Sequence, residues 1–124
     1  MSGKVLVVDD SLLVRQQVGR TLSAGGFTIV EATDGVDALE KLSANADVKL
    51  VVCDVNMPRM NGIEFLEALR KDAKNSGVTV VMLTTEGQTE LIQRAKSLGA
   101  RGWIVKPFKP DLLLAAAKKL TAAA

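Results

Sequence analysis

Six side chains in this chain of 124 residues stand where apolar runs stop abruptly. Asp9 and Asp10 follow "KVLVV" (4–8), and Asp54 follows "VKLVVC" (48–53). Thr84 and Thr85 follow "VTVVML" (78–83), and Lys106 closes "GWIVK" (102–106). Each run is short and rich in β-branched residues, as buried strands are. A carboxylate at the end of a buried strand is costly unless something there needs it. In a parallel α/β sheet, ligands bind outside the carboxyl ends of the strands. Four of five predicted strands therefore send a functional group to one edge.

Three carboxylates in one corner repel. Two like charges ~4 Å apart cost about 4 kcal/mol at an effective dielectric near 20. Lys106 and a divalent cation would relieve this. The chain has no histidine and one cysteine, Cys53. That excludes Ser-His-Asp and Cys-His mechanisms, a His-ligated metal and a phosphohistidine on this chain. Oxygen-only ligands suit Mg2+, which keeps several waters and takes carboxylates together with phosphate oxygens. Such an ion draws phosphoryl oxygens into place and neutralises charge as an attacking oxygen approaches. The threonine hydroxyl and the lysine ammonium suit the remaining phosphoryl oxygens. The central carboxylate, Asp54, can then act as a nucleophile and form an acyl phosphate.

The elements that must position these groups alternate strand and helix. Strands are predicted at 4–8, 27–32, 48–53, 78–83 and 102–106. A helix over 12–24 carries Leu13, Val14, Val18 and Leu22 at helical spacing, with Ser11 as cap and Gly25-Gly26 as stop. Asp34 caps a helix with Val36, Leu39 and Leu42. Asn61-Gly62 opens one with Ile63, Leu66 and Leu69. The segment 88–98 is helical and ends at Gly99, and a last helix starts near Pro110. Strands that read as unbroken apolar runs are covered on both faces. The class is α/β with a mostly parallel, doubly wound sheet and right-handed crossovers; periodicity leaves the strand order open.

Nothing in composition or pattern divides the chain, so residues 1–124 are expected to form one domain. Hydrophobic residues make up 48% and charged residues 24%, a balance that supports one core without a membrane span. The N-terminus lacks the pattern of a secretory signal and a single cysteine makes no internal disulfide, so a cytoplasmic setting is expected. Residues 1–62 carry 6 basic and 8 acidic side chains, residues 63–124 carry 10 and 6. This asymmetry is too mild to point to nucleic acid.

"VLVVDDS", "VVCDVNMPRMNG", "VMLTTEG" and "GWIVKPF", in this order, resemble the receiver domain of two-component response regulators over essentially the whole chain, the stand-alone CheY-like kind above all. The resemblance implies a flavodoxin-like fold of five parallel strands in the order 2-1-3-4-5 with five helices. It implies that Asp54 is the phosphoacceptor. Asp10 directly, and Asp9 through water, would hold Mg2+ with Asp54 and the backbone carbonyl of Asn56. Thr84 would be the switch hydroxyl, Lys106 the partner of the phosphoryl group, and Trp103 the switch aromatic, a position usually held by Tyr or Phe. Asn56, Glu86 and Thr85 would tune hydrolysis, Thr85 standing where a small residue is common. The Lys106-Pro107 bond is expected to be cis. Pro58 would shape the exit loop, and Asn61 replaces a frequent Asp.

The function so implied is a phosphorylation-controlled binding module that catalyses its own phosphorylation and dephosphorylation, a signalling switch of chemotaxis or motility rather than a metabolic enzyme. A sensor histidine kinase or phosphotransfer protein supplies the phosphoryl group. The output face is formed by the helix 88–98, strand 102–106 and the last helix. Arg94, Lys96, Arg101, Lys109, Lys118 and Lys119 fall there against Glu86, Glu90 and Asp111, which points to an acidic partner segment. A monomer is expected, with no nucleic acid and no membrane insertion. Three alternatives remain. A haloacid-dehalogenase-type phosphatase also uses an aspartate nucleophile, but needs a second acid where Asn56 stands. A flavodoxin-type electron carrier needs a phosphate-cradling loop where "DDS" stands. A receiver fragment of a longer transcription regulator is the third; a stand-alone protein is the simpler choice.

Overall fold

Three side chains turn strand exits into helices. Ser11 Oγ accepts from Val14 N at 3.3 Å, and Asp34 Oδ1 accepts from Asp37 N at 2.9 Å. Asn61 Oδ1 accepts from Glu64 N at 2.9 Å while Glu64 Oε1 accepts from Asn61 N at 3.1 Å, a reciprocal box that satisfies two otherwise orphaned donors. The computed structural model describes residues 3–55, 57, 60–72, 78–84 and 89–122. Within these, the elements are β1 (Lys4–Val8), α1 (Leu12–Ala24), β2 (Thr28–Ala32), α2 (Gly35–Ala44) and β3 (Val48–Asp54). There follow α3 (Gly62–Lys71), β4 (Thr79–Thr84), α4 (Thr89–Ser97), β5 (Gly102–Val105) and α5 (Pro110–Ala122). The bounds match the sequence expectations to within a residue or two. Phe27 is the clearest shift: its N–H still bonds to Leu22 O at the exit of α1, so β2 begins at Thr28.

The five strands are parallel, in the order β2-β1-β3-β4-β5. Alternation along each strand divides the core into two layers. Leu6, Val8, Val51, Cys53 and Met82 face one side with Ala38, Phe65, Leu66 and Ala95 of α2, α3 and α4. Val5, Val7, Leu50, Val52, Val81 and Leu83 face the other with Val18 and Leu22 of α1 and Leu113 and Ala117 of α5. Most of these side chains are fully buried. At ~25 cal/mol per Å² of apolar area, this burial is the main driving force for the fold.

Gly62 marks a tight passage against backbone. Its N–H donates to Val55 O at 2.9 Å as the chain leaves β3 for α3. A Cβ at this position would lie within 2.4 Å of the Asp54 carbonyl oxygen and 2.9 Å of Val55 Cα, both backbone. Gly19, inside α1, is the opposite case: its nearest neighbour would be Ile29 Cγ2 at 3.6 Å, an ordinary contact. Gly62→Ala is therefore expected to cost about 1–3 kcal/mol through overpacking, whereas Gly19→Ala is expected to gain about 0.5–1 kcal/mol by removing backbone entropy from the unfolded helix. Urea unfolding of the two variants beside the parent measures both; equal effects would remove the argument from close approach.

Candidate functional site

Asp9, Asp54 and Lys106 stand two residues beyond Val7, Val52 and Ile104, all of which belong to the layer covered by α1 and α5. Period-two alternation therefore brings the three functional groups over the same side of the sheet, just past the strands' carboxyl ends. The contacts follow. Lys106 Nζ lies 3.0 Å from Asp9 Oδ2 and 3.2 Å from Asp54 Oδ1. Asp9 and Asp54 are buried, and Lys106 reaches in from a partly exposed stem. Desolvation pulls the Lys106 ammonium toward its neutral form, but the hydrogen bond it donates to Asp9 and the charges of both carboxylates outweigh it, so its pKa ends above the ordinary lysine value. The lysine thus stays charged throughout the neutral range.

Asp9 is held at both oxygens: Oδ2 by Lys106, and Oδ1 by the N–H of Ser11 at 2.9 Å. Its backbone carbonyl accepts from Arg15 Nη1 at 2.6 Å, and Arg15 is itself anchored to Glu31 Oε1 at 3.0 Å. This brace was missed in the sequence. The signal was Arg15 one turn after the helix cap, which reads equally well as a solvated helix residue. Asp10, by contrast, is exposed at the mouth. Carboxylate oxygens of Asp9, Asp10 and Asp54 all lie within 4.8 Å of one another. Lys106 stands against three acids, so the corner keeps a surplus of negative charge suited to a hard divalent cation. The donor set, oxygen only and part buried, part open, fits Mg2+.

Thr84 closes β4 on the opposite parity, two residues after Met82, and is buried. Its Oγ1 has no hydrogen-bond partner among the described residues. A buried, unsatisfied hydroxyl costs about 1–3 kcal/mol. Cys53, next to Asp54, is buried and its thiol donates to Asp54 O at 3.3 Å. Burial first, then the charges of Asp54 and Asp9, push its pKa well above the ordinary thiol value, so it packs and does not react. Trp103 lies outside the corner, 39% exposed on β5. The Lys106-Pro107 bond is cis. Asn56, Pro58, Thr85 and Glu86 lie outside the described residues.

The chain matches the family model of the response regulator receiver domain over residues 5–118. It is 43% identical over 111 residues to chemotaxis protein CheY1 of Helicobacter pylori, covering 89% of this chain and 90% of that protein. A CheY homolog of Campylobacter jejuni is 40% identical over 111 residues, covering 89% and 85%. The crystal structure of chemotaxis protein CheY4 of Vibrio cholerae superposes with a TM-score of 0.89 at 42% identity, over 97% of this chain and 99% of that one. These likenesses set it among receivers and apart from haloacid-dehalogenase phosphatases and flavodoxin-type carriers. The chain, with its buried aspartates bridged by a lysine at the edge of a 2-1-3-4-5 sheet, belongs to the response regulator receiver domain family.

Proposed function

We propose that this chain is a phospho-accepting switch of a chemotaxis-type phosphorelay, with Asp54 as the acceptor. The observation that carries the reading is the position of Asp54: buried at the end of the central strand β3, 3.2 Å from Lys106 and grouped with Asp9 and Asp10. The curated relatives named as chemotaxis proteins support the pathway class. In the reaction, an Asp54 carboxylate oxygen attacks the phosphorus of a partner's phosphohistidine. The P–O bond forms as the P–N bond breaks, and the imidazole nitrogen leaves with a proton. Water later attacks the phosphorus of the acyl phosphate, the P–O bond to Asp54 breaks, and inorganic phosphate leaves as the carboxylate is regenerated. Asp10, Asp54 and the Asn56 carbonyl would hold Mg2+, with Asp9 one water further out because both its oxygens are engaged. The ion supplies charge neutralisation at the phosphoryl oxygens. Lys106 pairs with the phosphoryl group, and the unsatisfied Thr84 hydroxyl turns toward it and couples its arrival to Trp103.

The phosphodonor has a place to dock. An open groove of about 640 Å³ runs beside Lys106, lined by Val14, Gln17, Arg20 and Thr21 of α1 and by Pro107, Phe108 and Pro110. The output face is α4, β5 and α5. Arg94, Lys96, Arg101, Lys109, Lys118 and Lys119 are all exposed there, which favours an acidic partner segment.

With Mg2+ and phosphoramidate, a small P–N donor, the protein is expected to gain one phosphoryl group by intact mass, and Asp54→Asn none. A phosphoryl group on the Asn variant, or one gained equally with EDTA present, would sink the assignment. Mg2+ at a hundred times its dissociation constant is expected to stabilise the fold by about 2.7 kcal/mol. Asp54→Asn should cut that gain, as read by urea unfolding with and without the ion. Binding of an acidic helical peptide, followed with beryllofluoride as the acyl-phosphate mimic, should weaken steeply as salt rises; indifference to salt would argue against a charge-steered partner.

A further inference from the structure

Trp103 and Val105 of β5 project to the face opposite Ile104 and stay 39% and 44% exposed. Their register partners on β4 are Met82 and Thr84, so all four share one face. Helix α4 adjoins this face but buries only Ala95 among its described residues, and the indole stays partly exposed. Its firm attachments run the other way, to α3. Arg70 donates to the carbonyls of Leu98 at 2.7 Å and Gly99 at 3.1 Å, at the exit of α4, and to Val78 O at 3.0 Å. Arg94 pairs with Glu67 at 3.4 Å. Toward β5, Lys96 places its ammonium 6.0 Å from the centroid of the Trp103 ring.

We infer that Lys96 is a latch that holds Trp103 outward and weights the surface toward its unphosphorylated arrangement. The inference rests on the Thr84–Trp103 switch proposed above and adds the group that sets its resting point. A cation over an indole face is attracted to the ring quadrupole only while the ring lies beneath it. Turning the indole inward, toward the unsatisfied Thr84 hydroxyl, ends that attraction. Lys96 therefore interacts differently with the two arrangements, which is the requirement for shifting a population. The strength of an exposed cation–π contact corresponds to a shift of about two- to fivefold. Lys96 is a positioning residue: it touches neither Asp54 nor the metal corner.

The single tryptophan makes the test direct. Acrylamide quenching reads its exposure, and a titration with beryllofluoride in the presence of Mg2+ reads the switched state. Lys96→Met keeps most of the stem and removes the charge; Lys96→Arg keeps the cation. The Met variant is expected to be quenched less before any ligand is added, and to half-saturate at about two- to fivefold less beryllofluoride. The Arg variant is expected to follow the parent in both. A parent protein whose quenching ignores beryllofluoride overturns the switch and the latch together. A parent that responds, with a Met variant titrating identically or an Arg variant shifted as far as Met, overturns the latch alone.

Discussion

Two buried carboxylates share one ammonium, and the rest of the molecule is arranged around that fact. Lys106 sits between the buried Asp9 and Asp54, 3.0 Å from one and 3.2 Å from the other, and offsets negative charge that burial would otherwise penalise. Removing one partner from such a group leaves an uncompensated buried charge, commonly a loss of 3–5 kcal/mol. The lysine follows β5 and the acids follow β1 and close β3, so the ion pairs reach across four of the five strands. Parallel pairing is what makes this possible. All five strands end on one edge, and Asp9, Asp54 and Lys106, each two residues beyond a buried residue of the α1/α5 layer, arrive on the same side.

The corner is deliberately incomplete. Lys106 offsets part of the negative charge, the exposed Asp10 adds more, and the buried Thr84 hydroxyl has no acceptor among the described residues. A site satisfied in itself would have no free energy to gain from a cation or a phosphoryl group. In the proposed switch, a cation would offset the surplus negative charge and a phosphoryl oxygen would offer Thr84 an acceptor. Differential satisfaction of this kind lets a small covalent change select between two arrangements of a surface.

Much of this was legible in the sequence. The strands fell within a residue or two because their β-branched runs end in charged or hydroxyl-bearing residues. The caps Ser11, Asp34 and Asn61 were legible because their side chains are local acceptors acting three residues ahead. Asp9, Asp54 and Lys106 were legible because parallel topology converts strand ends into neighbours. The strand order came from the family resemblance, since periodicity constrains faces and not adjacency. Long-range braces were invisible: Arg15 under Asp9 and Arg70 across the exit of α4 look, in one dimension, like ordinary helix cations. The outward pose of Trp103 was equally hidden, because it depends on how little of β5 is covered by α4.

That thin cover has a colloidal consequence. β5 is an edge strand, so one row of its backbone donors and acceptors is open, and Trp103 and Val105 add apolar surface beside it. Such an edge is a template for pairing with another copy of itself. Two features guard against this here: the strand is only four residues long, and Arg101 and Lys119 line the pocket beside Trp103. Like charges on two approaching copies repel, while an acidic segment meets no such barrier. The positive fringe thus opposes pairing of two copies at this edge and, under the proposed function, favours an acidic partner segment there.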